Sequence, residues 1–295
     1  MRKFLYSAVL LMTALRCQAQ LPAAFTKETV YLWEKGSRND QPTKESDRPL
    51  MDVYYPKNAT TPHAAILICP GGGYGALAKD HEGKQLAEFF ASHGIASAVV
   101  LYRVSPHRFP APYADACRAM RLLRQNATKY HLDPARLGMM GFSAGGHLAS
   151  TVTTQPDLYR DPDDNLAATV SARPDRAVLC YAVISMDDAS AHQGSVKNLL
   201  GENPDPAQAR QMSSYRHVTA STPPTFLWHT ADDAGVPVQN SLLFAQACAE
   251  KKVPVALHIF PKGRHGVGMA PDDPTLRVWP QLLLTWLGDW PTEAK

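Results

Sequence analysis

Gly141-Phe142-Ser143-Ala144-Gly145 matches the pattern G-x-S-x-G and stands where an apolar run ends and a helical pattern begins. In that setting a serine sits on a sharp, strained turn, and its hydroxyl projects into a cleft instead of the core. The flanking glycines let strand and helix approach each other, and the new helix presents the amide of Ala144 to developing negative charge. The chemistry this suits is acyl transfer with Ser143 as nucleophile. A serine hydroxyl is a weak nucleophile at neutral pH, so a base with an oriented ring has to come from elsewhere in the chain.

Two later turns can supply it. Residues 225–229 read as a strand running into Thr230-Ala231-Asp232-Asp233-Ala234-Gly235-Val236-Pro237, which places a carboxylate after the strand. The last strand ends at Phe260 and leads into Gly263-Arg264-His265-Gly266-Val267-Gly268. His265 is the expected general base, held tightly between glycines. Asp233 is favoured as the acid that orients it, because its spacing to Val236-Pro237 is the usual one for this turn; Asp232 is one residue out of register. The other aspartate is expected to cap the following helix. Ser, Asp, His is the order of this triad in α/β-hydrolases. A fourth part, Cys69-Pro70-Gly71-Gly72-Gly73-Tyr74, follows the third strand, where consecutive glycines let bare backbone N–H groups approach a reacting carbonyl oxygen. No Gly-Lys-Ser/Thr follows it, which speaks against a phosphate-cradling loop.

The elements that must position these turns alternate. After β-rich runs at 29–33 and 51–55 come strands at 64–69, 95–101, 136–140, 177–184, 225–229 and 255–260. Between them lie helical patterns near 81–92 and 113–130, from 144, at 238–250 and in a tryptophan-rich last segment. This is an α/β pattern: a doubly wound, mostly parallel sheet of about eight strands with helices on both faces. Residues 155–173 and 187–221 break the rhythm. Insertions after strands lie at the carboxyl edge of such a sheet, so both are candidate pocket walls, with inert surface loops as the alternative.

The net charge of +3 comes from 30 basic and 27 acidic residues without a basic run, which sets nucleic-acid binding aside. Arg2 and Lys3 precede an apolar stretch ending at Leu15, then Cys17-Gln18-Ala19, a pattern of an exported leader over residues 1–19 with one domain over 20–295. Arg16 makes Cys17 a poor lipidation site, and no stretch is apolar for long enough to span a membrane. Cys69, Cys117, Cys180 and Cys248 read as small buried hydrophobes, although export would permit a disulfide. His81, His93, His107 and His147 show no metal-ligand spacing, and neither metal nor cofactor is expected.

With these residues in place the chain resembles the bacterial carbohydrate-esterase α/β-hydrolases grouped with acetylxylan esterases, and is also similar to feruloyl esterases. The resemblance runs through Pro70 to Tyr74, His81-Glu82-Gly83, Leu101-Tyr102-Arg103-Val104, Gly141 to Ala149, Pro223 to Thr230 and Gly263 to Gly266. It implies Gly72 and Gly73 as oxyanion donors beside Ala144, although Pro70 replaces the histidine of the related His-Gly-Gly-Gly loop. It implies removal of acetyl groups from O-acetylated oligo- or polysaccharide. The loop holding His192-Gln193-Gly194-Ser195 follows a strand and mixes hydrogen-bonding groups, so His192 and Ser195, with Tyr74, are expected to bound the sugar side of the pocket. Feruloyl-ester or formamide hydrolysis on the same triad is the alternative, and a non-catalytic binding protein on this scaffold a more distant one.

Overall fold

Short apolar runs without alternation form strands buried on both faces, and this chain has several. A computed structural model describes residues 21–37, 39 and 48–290; the leader expected over 1–19 lies outside them. Strands β1 (Phe25–Tyr31) and β2 (Leu50–Pro56) pair antiparallel with Phe25 opposite Pro56, and β2 pairs antiparallel with β4 (Ala96–Leu101). From β4 onward the ladder is parallel, through β3 (His63–Cys69), β5 (Leu132–Phe142), β6 (Arg176–Cys180), β7 (Thr225–Thr230) and β8 (Val255–Phe260). The order across the eight-stranded sheet is β1-β2-β4-β3-β5-β6-β7-β8.

Period-two alternation splits the core. Ala65, Leu67 and Cys69 of β3 face one side with α2 (Ala111–Gln125) and α3 (Ser143–Thr154); Ile66 and Ile68 face the other with α1 (Gln85–Ser92) and α7 (Trp279–Leu287). All four cysteines named above are free and buried, as expected of small core residues. The chain leaves β3 for β4 on one side and later returns to β5 on the other. Connections therefore diverge between the carboxyl ends of β3 and β5, and a crevice opens there. Both the glycine loop and Ser143 follow directly from those two strands.

The two insertions behave differently. Residues 155–173 are fastened along α2: Arg118 and Arg121 each reach one oxygen of Asp164 at 2.6 Å, and all three side chains are 10% exposed or less. These ion pairs tie the segment to α2. Asp164→Ala would leave two buried guanidinium groups without their carboxylate, and is expected to cost about 3–5 kcal/mol. A lower urea midpoint at unchanged slope would measure it. Residues 187–221 instead lie near the crevice and contain α4 (Gln193–Leu200) and α5 (Pro206–Gln211). After α5 the chain enters β7, passes through the turn that carries Asp232 and Asp233, and forms α6 (Gln239–Glu250).

Candidate active site

Ser143 begins α3 directly after β5, with φ +51°. That left-handed conformation costs a non-glycine residue about 1–2 kcal/mol, strain that the surrounding packing must hold. Glycine is obligatory on both sides. A Cβ on Gly141 would stand 2.1 Å from the Gly145 carbonyl oxygen, and one on Gly145 would stand 2.1 Å from that of Cys69. The motif is therefore a steric solution that presses the β5–α3 turn against the end of β3.

His265 meets Ser143 as the spacing suggests: its Nε2 is 2.7 Å from Ser143 Oγ, and its Nδ1 is 2.7 Å from Asp233 Oδ2. An ionised carboxylate can only accept, so Nδ1 carries the proton and Nε2 is left to accept from the serine hydroxyl. Asp233 is buried, and its Oδ1 receives the amides of Gly235 at 2.8 Å and Val236 at 2.9 Å. Burial works against its charge, but bonds from His229, His265 and the Val236 amide outweigh that and hold its pKa well below the ordinary carboxylate value. His229, at the end of β7, donates Nε2–H to Val236 O at 2.9 Å and stands 3.4 Å from Asp233 Oδ2. Asp232 does something else. Its Oδ1 accepts the Gly263 amide at 2.8 Å, tying the acid turn to the histidine loop, and α6 has no side-chain cap, which corrects the capping expectation.

The glycine loop uses its carbonyls for its own turn and leaves amides free. Gly72 O accepts from Gly75 and Ala76, and Gly71 O accepts from Ala78. The amides of Gly72 and Gly73 make no hydrogen bond among the described residues. Ala144 lies in the first turn of α3, where amides lack an intrahelical acceptor. Gly72 has φ +129°, and a Cβ there would come within 2.2 Å of Ala76 O.

Behind this loop sits Glu82, only 2% exposed. Its Oε2 accepts the Gly71 amide at 2.9 Å, and its Oε1 accepts the Tyr181 hydroxyl at 2.7 Å. The Tyr181 oxygen in turn accepts the Gly268 amide at 3.0 Å, and its ring meets His265 edge-on at 5.0 Å. Burial, reinforced by the charge of Glu82, raises the Tyr181 pKa and keeps the phenol a donor. One carboxylate thus joins the glycine loop to the histidine loop. Glu82→Ala is expected to lower kcat/KM roughly 10- to 100-fold on any ester by loosening both loops. Glu82→Gln, which keeps one acceptor, should fall in between, and steady-state rates on a small ester check both.

Three residues expected at the sugar side are distributed otherwise. Tyr74 is 1% exposed and does not line the crevice; its hydroxyl is 2.7 Å from His147 Nδ1. His147 Nε2 must donate to Met212 O at 2.7 Å, so Tyr74 is the donor in that pair. Burial lowers the His147 pKa to about 4, which keeps the ring neutral. Ser195 is fully buried and reaches only His192, whose Nδ1 is 2.8 Å from the serine oxygen. His192 alone of the three is half-buried beside the loop: its Cε1 lies 3.8 Å from where a Cβ on Gly73 would stand. The spacing argument assigned no role to Glu82, Tyr181, His229 or Asn198, which donates Nδ2–H to Gly73 O at 2.9 Å. Glu82 stands inside His81-Glu82-Gly83 and His229 inside Pro223 to Thr230; Tyr181 and Asn198 carry no local sequence signal. Among the described residues no group of three or more His, Cys, Asp or Glu is placed to hold a metal ion, and no helix is long and apolar enough to cross a membrane.

Comparison with known proteins agrees with this architecture. The BD-FAE family model matches residues 51–248. An acetyl ester-xyloside bifunctional hydrolase from Caldicellulosiruptor lactoaceticus superposes with a TM-score of 0.78 at 45% identity, over 88% of this chain and 95% of that one. The acetylxylan esterase of Xylanibacter ruminicola is 32% identical over 98% of this chain and 55% of its own length. Endo-1,4-beta-xylanase B of Butyrivibrio fibrisolvens is 38% identical over 74% of this chain and 35% of its own. The chain thus spans between about a third and just over half of these two curated relatives. With the family match covering most of the chain, the chain belongs to the BD-FAE family of α/β-hydrolases.

Proposed function

We propose that the protein is an exported serine esterase that removes acetyl groups from O-acetylated carbohydrate of the acetylxylan type, with a leader over residues 1–19 and a single catalytic domain over 20–295. The observation that carries this reading is the unbroken chain from Ser143 Oγ to His265 to the buried Asp233 carboxylate, with both links at 2.7 Å. Ser143 attacks the ester carbonyl while His265 Nε2 takes its proton. The amides of Gly72, Gly73 and Ala144 hold the oxyanion. The sugar alcohol leaves with the proton from His265, and water, activated by the same nitrogen, releases acetate from the acyl-enzyme. Asp233 keeps the imidazole in the required tautomer and offsets its positive charge. The names of the relatives, an acetylxylan esterase and an acetyl ester-xyloside hydrolase, support the choice of acyl group and sugar.

Acetate release from acetylated xylan and acetylated oligosaccharides, run beside feruloyl esters and formylated amines, tests the substrate. Acetate from the acetylated sugars is the expected product. Ferulate or formate without acetate would overturn the substrate assignment while leaving the triad. A fluorophosphonate probe tests the triad separately: failure to label the wild-type protein would overturn the serine esterase and favour a binding protein on the same scaffold.

A further inference from the structure

We propose that His192 binds the substrate directly, its Nε2–H donating a hydrogen bond to a hydroxyl or ring oxygen of the sugar that bears the ester. The proposal deepens the esterase reading above and rests on it. His192 is the residue before α4, and its side chain caps that helix: Nδ1 accepts the Ser195 amide at 3.2 Å. An amide can only donate, so Nδ1 holds a lone pair. The buried Ser195 hydroxyl stands 2.8 Å from the same nitrogen and reinforces that assignment. A neutral imidazole whose Nδ1 accepts carries its proton on Nε2. The tautomer is therefore set from behind by α4, and the donor is turned away from it.

Nε2–H has no protein acceptor among the described residues. Its bonded neighbour Cε1 lies against Gly73, and Asn198, further along α4, holds the Gly73 carbonyl at 2.9 Å. One helix thus steadies the oxyanion-side loop and presents a side-chain donor next to it. Burial, with the positive charge of a protonated His265 adding to it, lowers the pKa of His192, while Asp233 opposes the shift. The ring consequently remains neutral when His265 is protonated during turnover. A neutral donor matches a neutral acceptor such as a sugar oxygen, because backbone amides already face the developing oxyanion. Substrates lacking an oxygen at that point would leave Nε2–H unpaired in a covered cleft, which is how a hydrogen-bonding site discriminates.

The experiment compares acetylated xylo-oligosaccharide with 4-nitrophenyl acetate, which has no sugar oxygens. His192→Asn, whose side-chain oxygen can still accept the Ser195 amide and cap α4 while its nitrogen falls short of the Nε2 position, is expected to lower kcat/KM on the oligosaccharide roughly 10- to 100-fold, mostly in KM, and to change the nitrophenyl ester less than about threefold. His192→Gln, whose amide can donate, should recover part of the loss. Unaltered nitrophenyl acetate kinetics also show that the glycine loop is intact in the variant. Equal losses on both esters, or none on either, would overturn the proposal. Nitrogen-15 spectra of the histidine-labelled enzyme give a readout that needs no substrate: Nε2–H is expected at His192, and Nδ1–H would sink the idea. If the wild-type protein cleaves nitrophenyl acetate but releases no acetate from any acetylated sugar, the substrate reading falls and takes this proposal with it. A wild type active on the sugars with an unselective His192→Asn removes this proposal alone.

Discussion

Ser143→Ala is expected to lower kcat on small acetyl esters by about five to six orders of magnitude, because the serine, histidine and aspartate act as a unit and lose nearly everything when the nucleophile goes. A residual rate above that of water, about 10³-fold, should survive from the glycine loop and substrate binding alone. Stopped assays with a fluorophosphonate control measure the loss; retention of more than roughly a hundredth of the wild-type rate would remove Ser143 from the mechanism. Stability should move the other way in a companion variant. Ser143→Gly relieves the φ +51° conformation, so thermal unfolding is expected to rise in the glycine variant while activity is lost.

Asp233→Asn should cost about four orders of magnitude in kcat with little change in fold. The asparagine can present an N–H to His265 Nδ1, and the ring then takes the tautomer whose Nε2 carries the proton and cannot accept one from Ser143. Asp232→Asn keeps an acceptor oxygen for the Gly263 amide, and so should stay within about threefold of wild type. The pair of variants, assayed on one ester, discriminates the adjacent acids; the reverse ranking would overturn the assignment. Because hydrogen bonds hold the Asp233 pKa below its unfolded value, its contribution to folding is present above the ordinary carboxylate range. It is lost only as pH falls through the depressed value, and Asp233→Asn should flatten that acid limb.

Much of the chain from Ser143 through His265 to Asp233 is legible in the sequence because turns are encoded locally. Gly141 and Gly145 are required by contacts of 2.1 Å on either side of Ser143, so the pattern reports a backbone shape as much as a chemistry. The strand ends at Phe142, Thr230 and Phe260 follow from where apolar runs stop, and Asp233 and His265 come just after two of them. Side-chain direction is another matter. Tyr74 follows the glycines directly and looks like a pocket residue, yet with φ +58° its ring is buried and its hydroxyl reaches His147, a distant partner. Ser195 likewise supports His192 from the core and does not face the crevice.

By itself the sequence determined the α/β alternation and the backbone shapes of the glycine loop and of the turns that carry Ser143, Asp233 and His265, since each depends on residues within a few positions of one another. Only the tertiary structure decided that Asp232 staples two loops, that Asp164 ties residues 155–173 to α2, and that Glu82 joins the glycine loop to Tyr181, a residue 99 positions away. A local pattern limits which backbone shapes are accessible, whereas a buried carboxylate takes whichever donors the packing of distant segments brings to it, and no spacing along the chain records that choice.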